Sequence, residues 1–154
     1  MDQTATPRFG LLRSLVTDLS MHVEPIGPSG PTENAMSLEF FWPSVTDDGN
    51  VSAALKTTLT MTDADEPHTE RAKLSVKVSG AFADPDAQGA ALAHDREFVS
   101  AALEALYQQA RVHLSAMAGA SPMMHVNTDA IDADAIAADL VRAREAADPK
   151  EQQM

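Results

Sequence analysis

The sequence predicts an α+β domain: a four-stranded antiparallel sheet backed by a long helix, with a second helix near the C-terminal end. Two stretches near the middle, Val51-Ala53-Leu55-Thr57-Leu59-Met61 and Ala72-Leu74-Val76-Val78, alternate inward and outward positions with the two-residue period of a half-buried hairpin. The last third repeats apolar residues at three- and four-residue steps, the period of an amphipathic helix. Strands precede helices, an order that argues for an antiparallel sheet covered afterwards and against a doubly wound parallel one.

The first strand is expected from Leu11 to Val23, with Leu15, Thr17, Leu19, Met21 and Val23 on one face and Val16, Asp18, Ser20 and His22 on the other. Glu24-Pro25 ends it. The following Pro25-Ile26-Gly27-Pro28-Ser29-Gly30-Pro31 can neither donate a regular ladder nor carry a helix, so it reads as a surface crossover too long for a hairpin turn. Met36, Leu38, Phe40 and Trp42 then alternate with Ser37, Glu39 and Phe41 in a second strand, closed by Pro43. Asp47-Asp48-Gly49-Asn50 supplies the next turn, and the central hairpin follows. Its own turn, Thr62-Asp63-Ala64-Asp65-Glu66-Pro67, is longer and more acidic than a two-residue loop and predicts a mobile tip.

After Phe82 the run Ala83 to Gly89 is a loop, and the long helix starts near Asp95. Phe98, Ala102, Leu103, Leu106, Tyr107, Ala110, Leu114 and Met117 form its apolar stripe, with Gly119 and Pro122 as stop signals. Met123-Met124-His125-Val126 is an extended connector. Asp132 is placed to cap a second helix over Ala133 to Ala147, with a narrow stripe of Ile136, Leu140 and Val141. A single domain over 9–147 results, with residues 1–8 expected to be disordered and 148–154 to form a flexible tail.

Composition narrows the function. The formal charge of -12 repels phosphate backbones, so nucleic acid is not an expected partner. The absence of cysteine excludes disulfides, thiolate nucleophiles and cysteine-bound zinc. The N-terminal Met1-Asp2-Gln3-Thr4 has no basic segment leading into an apolar core, and no span reaches the length of a membrane helix, so a cytoplasmic protein without membrane insertion is expected. His22, His68, His94, His113 and His125 are scattered, with no pair at a metal-binding step. The carboxylates cluster in turns, where turn chemistry explains them. Gly27-Pro28-Ser29-Gly30 lacks the lysine and helix of a phosphate loop. No catalytic set, metal or cofactor is expected.

What stands out is eight methionines against 5% aromatic residues. Unbranched thioethers adapt to partners of different shape. Met21, Met36, Met61 and Met117 coincide with apolar periods and are expected in the core. Met123 and Met124 are adjacent in an extended connector, where both cannot face inward, so one of them is expected to line a surface groove.

With the elements in this order, the chain resembles the SecB family of protein-export chaperones over roughly Leu11 to Val141. The resemblance is carried by Arg13-Ser14-Leu15-Val16-Thr17-Asp18-Leu19-Ser20-Met21, Met36-Ser37-Leu38-Glu39-Phe40 after a proline-containing crossover, and Gly80-Ala81-Phe82. Ala110-Arg111, Ser115-Ala116-Met117, Pro122-Met123-Met124-His125-Val126 and Asp134-Ala135-Ile136 continue it. It implies a homotetramer, a dimer of dimers, and an ATP-independent holdase for unfolded polypeptide or preprotein clients. By position the client groove would use Ile26, Met36, Leu38, Phe40, Ile136 and Leu140, beside Met123 and Met124. Handover to the SecA motor is also implied, with Asp18 as the retained contact. His22, Lys73 and Ser75 depart from the family at the other matching positions, a change that fits members serving an antitoxin or acting as general holdases.

Two readings from other classes stand beside this one. A small α+β ligand-binding protein or isomerase-like enzyme would hold a closed pocket between sheet and long helix, with Asp18 or His113 as base. A purely structural oligomer subunit would assemble without binding a client.

Overall fold

The computed structural model describes residues 9–24, 30–120 and 131–147. Ile26, Met123 and Met124 lie outside the described residues, as do the terminal segments 1–8 and 148–154 and most of the crossover and connector. In chain order the elements are β1 (Leu11–Val23), β2 (Thr32–Val45), β3 (Val51–Asp63), β4 (Glu70–Phe82), a 3-10 turn (Gly89–His94), α1 (Arg96–Gly119) and α2 (Ala133–Ala147). The strands form one sheet in the order β1-β4-β3-β2, and every neighbouring pair is antiparallel. β1 and β2 therefore occupy opposite edges, and the proline-rich segment between them is a crossover.

Alternation works as the sequence predicts in the two central strands. Val51, Ala53, Leu55, Thr57, Leu59 and Met61 of β3 are buried on one face, matched in β4 by Ala72, Leu74, Val76, Val78, Gly80 and Phe82. Onto this face α1 lays Phe98, Ala102, Leu103, Leu106, Tyr107, Ala110 and Leu114, joined by Val99, which the stripe read from sequence did not include. Gly80 marks the closest approach. A Cβ built there would sit 2.8 Å from Leu11 Cδ1 and 2.9 Å from Leu106 Cδ2. Both helices begin on an aspartate cap: the Asp95 carboxylate, at the expected start of the long helix, accepts from the Glu97 and Phe98 amides at 3.0 and 3.3 Å, and that of Asp132, the predicted cap, accepts from the Ala135 amide at 3.1 Å.

Four expectations are corrected. First, β1 changes phase at a bulge between Val16 and Asp18, so Val16, Leu19, Met21 and Val23 share the core side of the register while Leu15, Asp18, Ser20 and His22 share the other. One extra residue in a strand moves everything beyond it to the opposite face. Second, Pro43 does not close β2, which runs to Val45 with a register break between Phe41 and Ser44. An edge strand tolerates a missing amide donor. Third, Met21 and Met36 are 48% and 39% exposed, because both belong to edge strands. Fourth, the buried line of α2 is Ala133, Ala137 and Val141, with Ile136 and Leu140 half-buried beside it. Alanines let α2 approach α1 closely, and the larger side chains flank that contact. The 3-10 turn between the loop and α1 is an addition; the Asp84 carboxylate accepts from the Gln88 and Gly89 amides at 2.9 and 2.8 Å and holds its entry.

One position on the buried face breaks the apolar rule. Thr57 is fully buried in the row Leu19–Val76–Thr57–Leu38, and its hydroxyl has no hydrogen-bond partner among the described residues. An unsatisfied buried hydroxyl costs about 1–3 kcal/mol. Thr57→Val keeps the shape and removes the polar atom, so urea unfolding should show stabilisation of about 1 kcal/mol; a loss of stability would mean the hydroxyl is satisfied.

Candidate functional site

The core side of β2 carries Met36, Leu38 and Phe40, in register with Leu59, Thr57 and Leu55 of β3. Their exposures differ. Phe40 is buried and forms floor, Leu38 is half-buried, and Met36 is open to solvent. Tyr107 reaches from α1 to this row, its hydroxyl donating to Met36 Sδ at 3.5 Å. Further along β2, Trp42 stands edge-on to Phe40 with centroids 5.3 Å apart, and the Arg144 guanidinium of α2 lies over the Trp42 ring at 4.7 Å. A cation over an indole face is held by the ring quadrupole, so this contact fixes the end of α2 beside β2. Ile136 and Leu140 pack half-buried on the same core from α2.

The result is an apolar strip along a sheet edge. β2 hydrogen-bonds to β3 alone, leaving its other side as an unpaired edge among the described residues. Exposed thioether and aliphatic side chains beside free main-chain donors and acceptors can accept an extended polypeptide as an added strand. Of the residues the sequence proposed, Met36, Leu38 and Phe40 come together on one face, while Ile136 and Leu140 share their core from another element. The Tyr107–Met36 and Arg144–Trp42 contacts were missed. They join positions far apart in the chain, and nothing local announces either.

Asp18 is exposed on the opposite sheet face, in register with Lys77. It does not point into the interface between sheet and α1, where the pocket of the isomerase-like reading would lie. That interface is filled by Leu55, Leu74, Leu103, Leu106 and Tyr107, each at most 1% exposed. Among the described residues no group of three or more histidine and carboxylate side chains is arranged to hold a metal. No helix among them is long and apolar enough to cross a membrane.

The β3–β4 turn is tied at its base. Arg71 donates from Nε and Nη2 to the Asp63 carboxylate, at 2.7 Å for the shortest contact, and the Asp63 amide donates to the Thr69 carbonyl at 2.9 Å. The guanidinium hydrogen bonds hold the Asp63 carboxyl below the ordinary aspartate range. A depressed folded pKa supplies stability at neutral pH that is lost as pH falls below the ordinary value and through the depressed one. The Asp63 carboxyl resonance should therefore titrate below about pH 3.9. A midpoint at or above that value would show that the pair does not persist in solution.

No family model and no curated protein matches the chain. Among solved structures it is similar to the Mycobacterium tuberculosis Rv1957 SecB-like chaperone, solved in complex with a ChAD peptide from the Rv1956 HigA1 antitoxin. The superposition has a TM-score of 0.55 at 12% sequence identity and covers 81% of this chain and 89% of that chain. Identity this low speaks to architecture. The antiparallel sheet with its edge-to-edge crossover and the two helices beside it give this chain the SecB-like fold.

Proposed function

We propose that the chain is an ATP-independent holdase that binds unfolded or preprotein segments along β2, with Met36 and Leu38 as the apolar contacts, Phe40 as floor, and Ile136 and Leu140 as the α2 wall. Ile26, Met123 and Met124 would extend the same groove. The observation that carries this reading is the exposed Met36 side chain beside an edge unpaired among the described residues, on a fold shared with a solved SecB-like chaperone. Main-chain pairing is indifferent to side-chain identity, and apolar contact asks only for greasy segments, so the groove accepts many sequences. An antitoxin segment is one such client, since the similar chaperone was solved with an antitoxin peptide. A cytoplasmic homotetramer, built as a dimer of dimers, would place several such grooves on one particle. Export through SecA would use Asp18 on the opposite sheet face.

The test is aggregation of a chemically unfolded client diluted into buffer and followed by light scattering. Stoichiometric amounts of the chain, without nucleotide, should slow it. Unchanged scattering at every ratio would reject the holdase reading and leave that of a structural subunit.

A further inference from the structure

Eight methionines and no cysteine leave the thioether as the only sulfur group in the chain, so a peroxide finds no thiol to consume first. Four methionines lie among the described residues, and they differ in access. Met61 is 4% exposed and Met117 half-buried, whereas Met36 and Met21 are 39% and 48% exposed at the two sheet edges. Both exposed residues end the same row, Met36–Leu59–Leu74–Met21, on the core side of the register. They are unlike in one respect. The Tyr107 hydroxyl donates to Met36 Sδ at 3.5 Å, whereas no donor reaches the Met21 sulfur among the described residues.

That contact sets the stereochemistry open to the sulfur. A thioether sulfur carries two lone pairs, and adding an oxygen to one or the other gives opposite epimers of the sulfoxide. Tyr107 is 1% exposed and packed in the apolar stripe of α1, with the Arg111 guanidinium carbon 5.8 Å from its ring centroid. Its hydroxyl is therefore a fixed donor that occupies one lone pair of Met36 Sδ. The other lone pair is left to an oxidant arriving from solvent.

We propose that Met36 is a reversible oxidation site at which a peroxide makes one sulfoxide epimer, and that this modification weakens client capture along β2. The sulfur lone pair attacks one oxygen of hydrogen peroxide; the O–O bond breaks, the S–O bond forms, and the second oxygen leaves as water. The sulfur gives up two electrons and the peroxide takes them. A methionine sulfoxide reductase of matching epimer specificity reverses the step, with a dithiol oxidised to its disulfide and the oxygen leaving as water. Oxidation turns an apolar, adaptable side chain into a polar one. An apolar client segment would then have to desolvate the sulfoxide oxygen beside Leu38, a cost with no compensating hydrogen bond. Met21 lies on β1 at the other edge, so its oxidation leaves the β2 strip as it was. The effect on capture rests on the client-binding reading of β2, whereas the site and its stereochemistry rest on the Tyr107 contact alone.

The full chain is treated with hydrogen peroxide, each methionine is followed by peptide mass mapping, and the oxidised chain is then offered to the two classes of methionine sulfoxide reductase, one for each epimer, with dithiothreitol. Met36 should oxidise alongside Met21 and well ahead of Met61. One reductase alone should repair Met36, while the two should share the repair of Met21. Tyr107→Phe keeps the ring and removes the hydroxyl, so its Met36 sulfoxide should be divided between the two reductases. Affinity for a labelled unfolded client should fall on the order of fivefold on oxidation and return on repair. Met21→Leu should show the same fall, and Met36→Leu should show no change on peroxide treatment. Met36 oxidised as slowly as Met61, equal repair of Met36 by both reductases, or a peroxide effect as large in Met36→Leu as in wild type would each overturn the proposal. An untreated chain that captures no client rejects the holdase reading and the effect on capture with it, and the repair pattern of Met36 still decides the oxidation site.

Discussion

Replacing Met36 and Leu38 together by serine is expected to weaken capture of an unfolded client on the order of tenfold while leaving the far-ultraviolet circular dichroism spectrum of the chain unchanged. The magnitude follows from area. Fully burying a Met or Leu side chain contributes about 1.5–3 kcal/mol, and a bound segment would cover only the part still open in the free protein. Met36 retains 39% of its surface and Leu38 is already half-buried, so together they leave about 1.4 kcal/mol for a client to gain. Serine removes that gain and adds no charge, so long-range electrostatics stay fixed. Affinity for a labelled unfolded client, titrated against wild type, checks it. Unchanged affinity in a folded double variant would move the binding site away from β2.

The largest effect on stability is expected at Phe98. Its ring is fully buried at the start of α1, edge-on to Phe9 at 5.2 Å and close to edge-on to Phe82 at 5.5 Å. These contacts clamp the first turn of α1 to the ends of β1 and β4, just after the Asp95 cap. Phe98→Ala loses the transfer energy of the ring and leaves a cavity that a sheet and a long helix cannot easily collapse, at a cost of about 3–5 kcal/mol. Against a total of about 5–15 kcal/mol for a domain, this should lower the thermal midpoint by on the order of 10 °C. A shift of only a few degrees would mean that the aromatic cluster is loosely packed.

Local chemistry made much of this fold readable. Asp95 and Asp132 precede their helices as cap residues do, and both caps form. The central hairpin kept its period because β3 and β4 are flanked on both sides and cannot slip without exposing a whole face. What could not be read depends on neighbours. The bulge near Thr17 belongs to the pairing of β1 with β4, so sequence periodicity assigned Leu15 and Val16 to the wrong faces. Met36 has the same apolar alternation as Met61, yet one is at an edge and the other in the middle of the sheet. Ile136 and Leu140 are among the most apolar residues of α2, but the small Ala137 is its most deeply buried one, since close helix approach rewards small size over hydrophobicity. That Lys56 of β3 stands opposite Lys77 of β4 is invisible until the register is known.

The same logic applies to the candidate site. Met36, Leu38 and Phe40 were readable as one face of a strand, because alternation alone groups them. That Phe40 is floor and Met36 is surface required the position of Tyr107, and the placement of α2 beside Trp42 required Arg144.

Client capture along the β2 edge is the central claim, and backbone hydrogen exchange of the chain with and without an unfolded, aggregation-prone client tests it most directly. Slowed exchange concentrated in 32–42, with the central strands β3 and β4 unchanged, is the predicted result. An exchange pattern that the client leaves untouched along β2, or protection confined to the opposite sheet face, would contradict it.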